Sequence, residues 1–161
     1  MKKKLAVITK AEMKTSDIRA HVLADIDRDG GFSLSVLDDA SQITDEDKVL
    51  VFGGDGTVLE VVRAVADKNI PLLCVNLGNL GFLAEYEKDV DSQSIISALK
   101  SSDLTERMLL CVKSSSGISE RALNEVVIRS LSSRPIYVDV YVDGKFVDSY
   151  HSDGAIVSSP T

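Results

Sequence analysis

A glycine turn set between two apolar segments constrains this chain more than any other feature. Val49-Leu50-Val51-Phe52 is a compact apolar run, and Gly53-Gly54-Asp55-Gly56-Thr57 follows at once. Val58, Leu59, Val61, Val62 and Val65 then fall on one helical stripe despite their β-branching. A strand that passes into a helix through glycines puts the helix N-terminus, with its unpaired N–H groups, at the carboxyl end of the strand. Glycine allows positive φ and lets an anion approach the backbone with no Cβ in the way. The turn is neither G-x-G-x-x-G nor the P-loop, since it has no Gly-Lys-Ser/Thr ending. Asp55 sets it apart. A carboxylate repels a bare phosphate, so in an anion-binding turn it serves as general base toward an attacking hydroxyl, as partner of a magnesium ion, or as both. The bland alternative is an aspartate that only caps the helix. Thr57 is equally a cap or a phosphate contact.

The surrounding sequence extends this strand–helix alternation. Leu5 to Ile8 is a short buried strand, and Ile18, Val22, Leu23 and Ile26 mark a helix with Ser16 as its N-cap. Gly30-Gly31 breaks the chain before a half-exposed strand over 32–37. Pro71 opens a strand over 72–75, Gly78 and Gly81 punctuate the loop behind it, and Ile95, Ile96 and Leu99 lie on one face of a helix over 92–100. Residues 1–104 are therefore expected to form an α/β domain with a Rossmann-like, open and mostly parallel sheet.

From about Thr105 the grammar changes. Residues 108–112 and 122–128 have the character of strands, and Ile136, Val138, Val140 and Val142 alternate with Tyr137, Asp139, Tyr141 and Asp143. Asp143-Gly144 is a two-residue hairpin signal, with the return strand over 145–150 and a further strand over 155–157. Residues 105–161 are expected to be the first strands of an all-β domain, cut short. Asn124-Glu125 interrupts its strand, and such a pair is expensive to bury unless both side chains find partners. An amide beside a carboxylate suits a ribose diol or an amide ligand; a β-bulge or edge with two solvated side chains is the alternative.

Bulk composition narrows the class of partner. The 161 residues carry a formal net charge of −7, so there is no basic field for nucleic acid or an anionic membrane. Cys74 and Cys111 sit apart in apolar runs, which makes neither a disulfide framework nor a zinc site. The apolar run behind Met1-Lys2-Lys3-Lys4 is too short for a signal peptide or a membrane span. A cytoplasmic location is the expectation.

Gly53-Gly54-Asp55-Gly56-Thr57 resembles the signature shared by NAD kinases, diacylglycerol and sphingosine kinases and, more loosely, phosphofructokinases. Asn76-Leu77-Gly78-Asn79-Leu80-Gly81-Phe82-Leu83 resembles the N-x-G-x-L-G-F-L loop of NAD kinases, a form the lipid kinases generally lack. Phe82 reads equally as a pocket wall or a core anchor. Asn124-Glu125 resembles the second NAD kinase motif, and the stretch from His151 to Thr161 the start of the third. In the family the third motif runs on through Gly-Ser-Thr-Ala-Tyr, before which this sequence stops, and Ser159 stands where threonine is commoner.

The resemblance implies transfer of the γ-phosphate of ATP, or of polyphosphate in some members, to the 2′-hydroxyl of the adenosine ribose of NAD. Asp55 would be the catalytic base, with Gly54, Gly56 and Thr57 lining the phosphate site and Mg²⁺ or another divalent metal offsetting charge; no metal ligand is assigned. Asn76, Phe82, Asn124, Glu125, Arg134, His151, Asp153 and Thr161 would complete the nucleotide contacts, His151 standing where arginine is usual. An N-terminal α/β domain, a C-terminal β-sandwich and assembly into dimers or tetramers are implied as well. Two other readings stay open: a lipid or sphingoid kinase with the same glycine turn, and a catalytically incomplete nucleotide-binding fragment.

Overall fold

The computed structural model describes residues 2–78, 81–132 and 134–160. They fall into two compact units, Met1–Glu106 and Arg107–Thr161.

The first unit is an α/β layer built on five strands, β1 (Lys3–Thr9), β2 (Phe32–Leu37), β3 (Lys48–Phe52), β4 (Leu72–Asn76) and β5 (Tyr86–Glu87). They lie in the order β2-β1-β3-β4-β5, every neighbouring pair parallel. The apolar runs are continuous because both faces of the sheet are covered. Leu5, Val7, Leu50, Phe52 and Val75 pack on one face with Val22 and Ile26 of α1 (Asp17–Asp29) and with Ile95, Ile96 and Leu99 of α3 (Ser92–Lys100). Their neighbours Ala6, Ile8, Val49, Val51 and Cys74 pack on the other face with Val58, Val61 and Val65 of α2 (Asp55–Val65). Each fully buried aliphatic or aromatic side chain contributes about 1.5–3 kcal/mol at most. The period-2 alternation of the strands thus sorts the helices onto two sides of the sheet.

Helix ends follow local chemistry. Ser16 is the N-cap of α1 as expected, yet its hydroxyl makes no capping bond; its carbonyl accepts from Ala20 N–H at 3.1 Å. Gly30 closes the helix at φ 75°, the left-handed position a Cβ would strain. Asp91 caps α3 by accepting from Ser94 N–H.

The order of the strands fixes where a ligand belongs. The chain runs outward from β1 to β2, then returns to the other side for β3, β4 and β5. The crevice between the carboxyl ends of β1 and β3 is therefore the topological switch point, the usual ligand site of open α/β sheets. Lys10 N–H donates to Phe52 C=O at 3.0 Å across it, and the glycine turn starts one residue later.

The second unit consists of three antiparallel two-stranded ribbons. β6 (Leu110–Lys113) pairs with β7 (Ser119–Ala122), β8 (Glu125–Arg129) with β11 (Gly154–Ser158), and β9 (Ile136–Val142) with β10 (Lys145–Ser152). Asp143 and Gly144 turn the last hairpin with φ 51° and 74°, the type I′ geometry that Asp-Gly predicts. Two expected strands are corrected. The run 122–128 is not one strand: Ala122 pairs with Leu110 whereas Glu125 pairs with Ser158, so the chain changes partner across Leu123-Asn124. The strand expected from Met108 begins at Leu110, the first residue with a partner on β7. Val127, Ile128, Ile156 and Val157 of these ribbons are exposed, and among the described residues of this unit Ser159 alone is buried.

Candidate active site at the glycine turn

The four glycines around Asp55 are not equivalent. A Cβ on Gly53 would stand 2.5 Å from Thr57 Oγ1 and 2.7 Å from Thr57 Cβ, so glycine there lets the first turn of α2 fold back on the end of β3. A Cβ on Gly81 would stand 2.7 Å from Asp55 Oδ1. A Cβ on Gly54 or Gly56 would meet nothing within 4 Å. The expected need for positive φ is not met at Gly53, Gly54 or Gly56, since among the described residues the glycines with φ in that region are Gly30, Gly117 and Gly144. Space is the reason instead: Gly53 and Gly81 make room for protein atoms, whereas Gly54 and Gly56 present bare backbone to the outside.

Gly54 is the N-cap of α2 at φ −94°, and its carbonyl takes Thr57 N–H at 2.9 Å and Val58 N–H at 3.2 Å. Asp55 and Gly56 are the next two residues, whose N–H groups precede any in-helix acceptor and give the helix mouth its positive end. Thr57 is not a side-chain cap, because the cap position belongs to Gly54. Asp55 does not cap the helix either. Its carboxylate turns to the loop after β4, where Oδ1 accepts from Phe82 N–H at 3.2 Å and Leu83 N–H at 3.1 Å, and Oδ2 from Phe82 N–H at 3.1 Å.

That loop is held from beneath. Asn76 is wholly buried; its Oδ1 accepts from Gly78 N–H at 3.0 Å and its Nδ2 donates to Glu87 Oε2 at 3.0 Å. It pins the loop from below, and in this conformation it has no surface to offer a ligand. Glu85 acts as a substitute strand partner, its carboxylate accepting from Cys74 N–H at 2.8 Å while its own N–H donates to Cys74 C=O at 3.1 Å. Burial pushes the Cys74 thiol well above its ordinary value, with the nearby Glu85 and Asp55 charges adding to the effect. Phe82 is 85% exposed, so it is no core anchor. Asn79 and Leu80 of the same loop lie outside the described residues.

The second unit carries the other expected contacts, and its ribbons spread them out. The side chains of Asn124 and Glu125 are both exposed, so the anticipated cost of burying them does not arise and the solvated-edge alternative describes them. Asn124 C=O accepts from Ser159 N–H at 3.1 Å, and Glu125 sits opposite Ser158. Asp153 is at the far end of the β8–β11 ribbon, its carbonyl accepting from Ser130 N–H at 2.9 Å. At the strand rise that separation is roughly 20 Å, so the three residues are not gathered round one small group. His151 stacks on Tyr137, with ring centroids 4.4 Å apart. Arg134 is exposed and its N–H donates to Ser132 Oγ at 3.3 Å. Thr161 lies outside the described residues.

The sequence reading missed the pairing of Gly81 with Asp55 and the use of Glu85 and Glu87 to hold the loop. A glutamate at every second position after a glycine-rich loop was the available signal. It also missed that Gly154 admits no side chain, since a Cβ there would lie 2.0 Å from Ile128 C=O.

A sequence profile of the ATP-NAD kinase N-terminal domain matches residues 1–102. The chain belongs to the NAD kinase family. It is 34% identical to the NAD kinase of Agathobacter rectalis over 154 residues, 87% of this chain and 54% of that protein. It is 40% identical to the NAD kinase of Geotalea daltonii over 121 residues, 71% of this chain and 43% of that protein. The chain thus spans about half the length of the NAD kinases it matches. Its fold resembles that of an NAD kinase from Archaeoglobus fulgidus solved in complex with ATP, with TM-score 0.80, 22% identity, and 96% of this chain and 60% of the other covered. It also resembles yeast NADH kinase solved with NADH, with TM-score 0.73, 19% identity, and 99% and 58% covered.

Proposed function

We propose that this chain carries the phosphoryl-transfer machinery of an NAD kinase, which moves the γ-phosphoryl group of ATP to the 2′-hydroxyl of the adenosine ribose of NAD. The observation that carries the reading is the pairing, at one helix N-terminus, of two glycines with open space above them and a carboxylate held unequally at its two oxygens. Gly54, Gly56 and the mouth of α2 offer N–H groups to phosphate oxygens, and Thr57 adds a hydroxyl beside them. Asp55 Oδ1 is occupied by two loop amides, whereas Oδ2 carries one. The free lone pair of Oδ2 takes the proton of the 2′-hydroxyl as that oxygen bonds to the γ-phosphorus. The bond from that phosphorus to the β,γ-bridging oxygen breaks, and ADP leaves. By the family resemblance Asn124, Glu125 and Asp153 would engage the dinucleotide, with Arg134 and His151 as further polar contacts. Phe82 offers an exposed ring for a base to rest on.

Among the described residues no three histidine, cysteine, aspartate or glutamate side chains converge, so these residues do not build a cage for a metal of their own. A magnesium ion of the kind that accompanies nucleotides takes most of its ligands from phosphate oxygens and water. Residence in the cytoplasm and assembly into dimers or tetramers belong to the same proposal. Two free thiols suit a reducing compartment, and among the described residues no helix is long and apolar enough to cross a membrane.

The test is NADP formation from NAD, ATP and Mg²⁺ by this chain, run beside a version extended to the length of its relatives, with polyphosphate and diacylglycerol as alternative donor and acceptor. Label transfer to NAD by the extended version supports the proposal, and equal transfer by the 161-residue chain makes its site sufficient. Transfer to diacylglycerol but not to NAD contradicts it.

A further inference from the structure

Asp55 and the segment 81–83 are fitted to each other more closely than a base waiting for substrate requires. Two consecutive amides donate to one carboxylate, Phe82 N–H reaching both oxygens and Leu83 N–H reaching Oδ1 alone. An asymmetric pair of this kind fixes the rotation of the carboxylate as well as its distance. The single Phe82 proton is shared by both oxygens, so the Leu83 amide makes the difference: Oδ1 is the more heavily engaged, and Oδ2 keeps a lone pair. The amides can come this close because Gly81 has no side chain: a Cβ would stand 2.7 Å from Oδ1 and 3.5 Å from Cγ of Asp55. The donors are also backed by rigid structure, because Leu83 packs on the α2-side core and Glu85 is bonded to Cys74 N–H at 2.8 Å.

We propose that Gly81, with the Phe82 and Leu83 amides, is a positioning device that aims the Asp55 carboxylate and selects Oδ2 as the proton acceptor. The proposal rests on the reading of Asp55 as the base. Gly81 touches no reacting atom; it acts through Asp55. A side chain at 81 must either rotate the carboxylate or lift the loop, and both remove Oδ2 from its aim.

The first test is a double-mutant cycle on the thermal unfolding of the 161-residue chain, with Gly81→Ala and Asp55→Ala. Gly81→Ala in the native background lowers Tm by roughly 2–4 °C, whereas in the Asp55→Ala background it changes Tm by less than about 1 °C, because the atom it strikes has gone. Equal losses in the two backgrounds overturn the proposal. The second test separates aim from architecture. In NADP formation, Gly81→Ala lowers kcat by roughly 10²-fold, while KM for NAD and for ATP stays within about threefold. A raised KM with intact kcat overturns the proposal, since Gly81 would then shape the substrate site. If Asp55→Ala retains normal turnover, it is the reading of Asp55 as base that fails. An inactive Asp55→Ala beside a fully active Gly81→Ala sinks the positioning device alone.

Discussion

Gly53 and Gly56 lie three residues apart in one turn, and the structure gives them opposite sensitivities to the same substitution. At Gly53, which is buried, an added Cβ would stand 2.5 Å from Thr57 Oγ1, 2.7 Å from its Cβ and 3.0 Å from its Cγ2. Thr57 cannot retreat without moving the first turn of α2, whose Val58 is buried in the core. Overpacking of that kind costs about 1–3 kcal/mol, or roughly 2–12 °C in Tm for a chain of this size at about 2–4 °C per kcal/mol. At Gly56, exposed in the first turn of α2, a Cβ meets nothing within 4 Å and φ is not in the left-handed region. Alanine is favoured over glycine within a helix by up to about 1 kcal/mol, so Gly56→Ala raises Tm by about 1–4 °C. The gain in stability comes with a loss of function: if the open space above Gly56 is where phosphate oxygens approach, the methyl group weakens ATP binding by about tenfold, roughly 1.4 kcal/mol. Far-UV circular dichroism gives Tm for both variants, and isothermal titration gives the ATP affinity. The reasoning is refuted by a Gly56→Ala variant that melts early, or by one that is more stable and binds ATP as the native chain does.

Three further perturbations follow from the same geometry. Gly154→Ala places a Cβ 2.0 Å from Ile128 C=O and should unpair β11 from β8 while leaving the five-stranded sheet intact; backbone amide exchange should accelerate at 125–129 and 154–158 but not at 48–52. Lys100 holds the Asp29 carboxyl below its ordinary value through a 2.6 Å ion pair that ties α1 to α3. A depressed folded value means that this stabilisation is present above the ordinary carboxylate range and is lost as the pH falls through the depressed one. Asp29→Asn should therefore lower Tm at neutral pH and converge with the native chain in acid; a difference that persists in acid excludes the ion pair as its source. Cys111 is exposed and Cys74 is buried with its thiol pushed up, so iodoacetamide should label Cys111 at neutral pH while Cys74 reacts only on unfolding.

Much of the first unit was legible because its strands are buried on both faces. Leu5 to Ile8, Val49 to Phe52 and Leu72 to Val75 are runs that only a covered sheet tolerates, and the glycine turn marks the passage from β3 to α2. β5 was not legible: two residues long, it is defined by Glu85 and Glu87 bonding back to Cys74 and Asn76, a tertiary fact with no period in the sequence. The same limit applied to Asn76. It reads as a ligand contact in a motif, yet burial turns both ends of its amide inward to hold the loop. In the second unit the hairpin at Asp143-Gly144 was legible from turn chemistry alone. The break between β7 and β8 was not, because it depends on which ribbon supplies the partner of Ala122 and which that of Glu125. The burial argument for Asn124-Glu125 rested on the apolar residues around the pair, and among the described residues both side chains are left in solvent. The lone aspartate in the glycine turn drew attention to the loop after β4, whose amides it accepts from; its partner Gly81, 26 residues on, looked like ordinary loop punctuation.

The measurement closest to the central claim is single-turnover NADP formation with Asp55→Asn, in whichever length of chain supports the native reaction. The substitution keeps an Oδ1 acceptor for the loop amides and removes the basic oxygen. Turnover should fall roughly 10²- to 10⁴-fold with Tm and ATP affinity little changed; near-native turnover would take Asp55 out of the proton transfer.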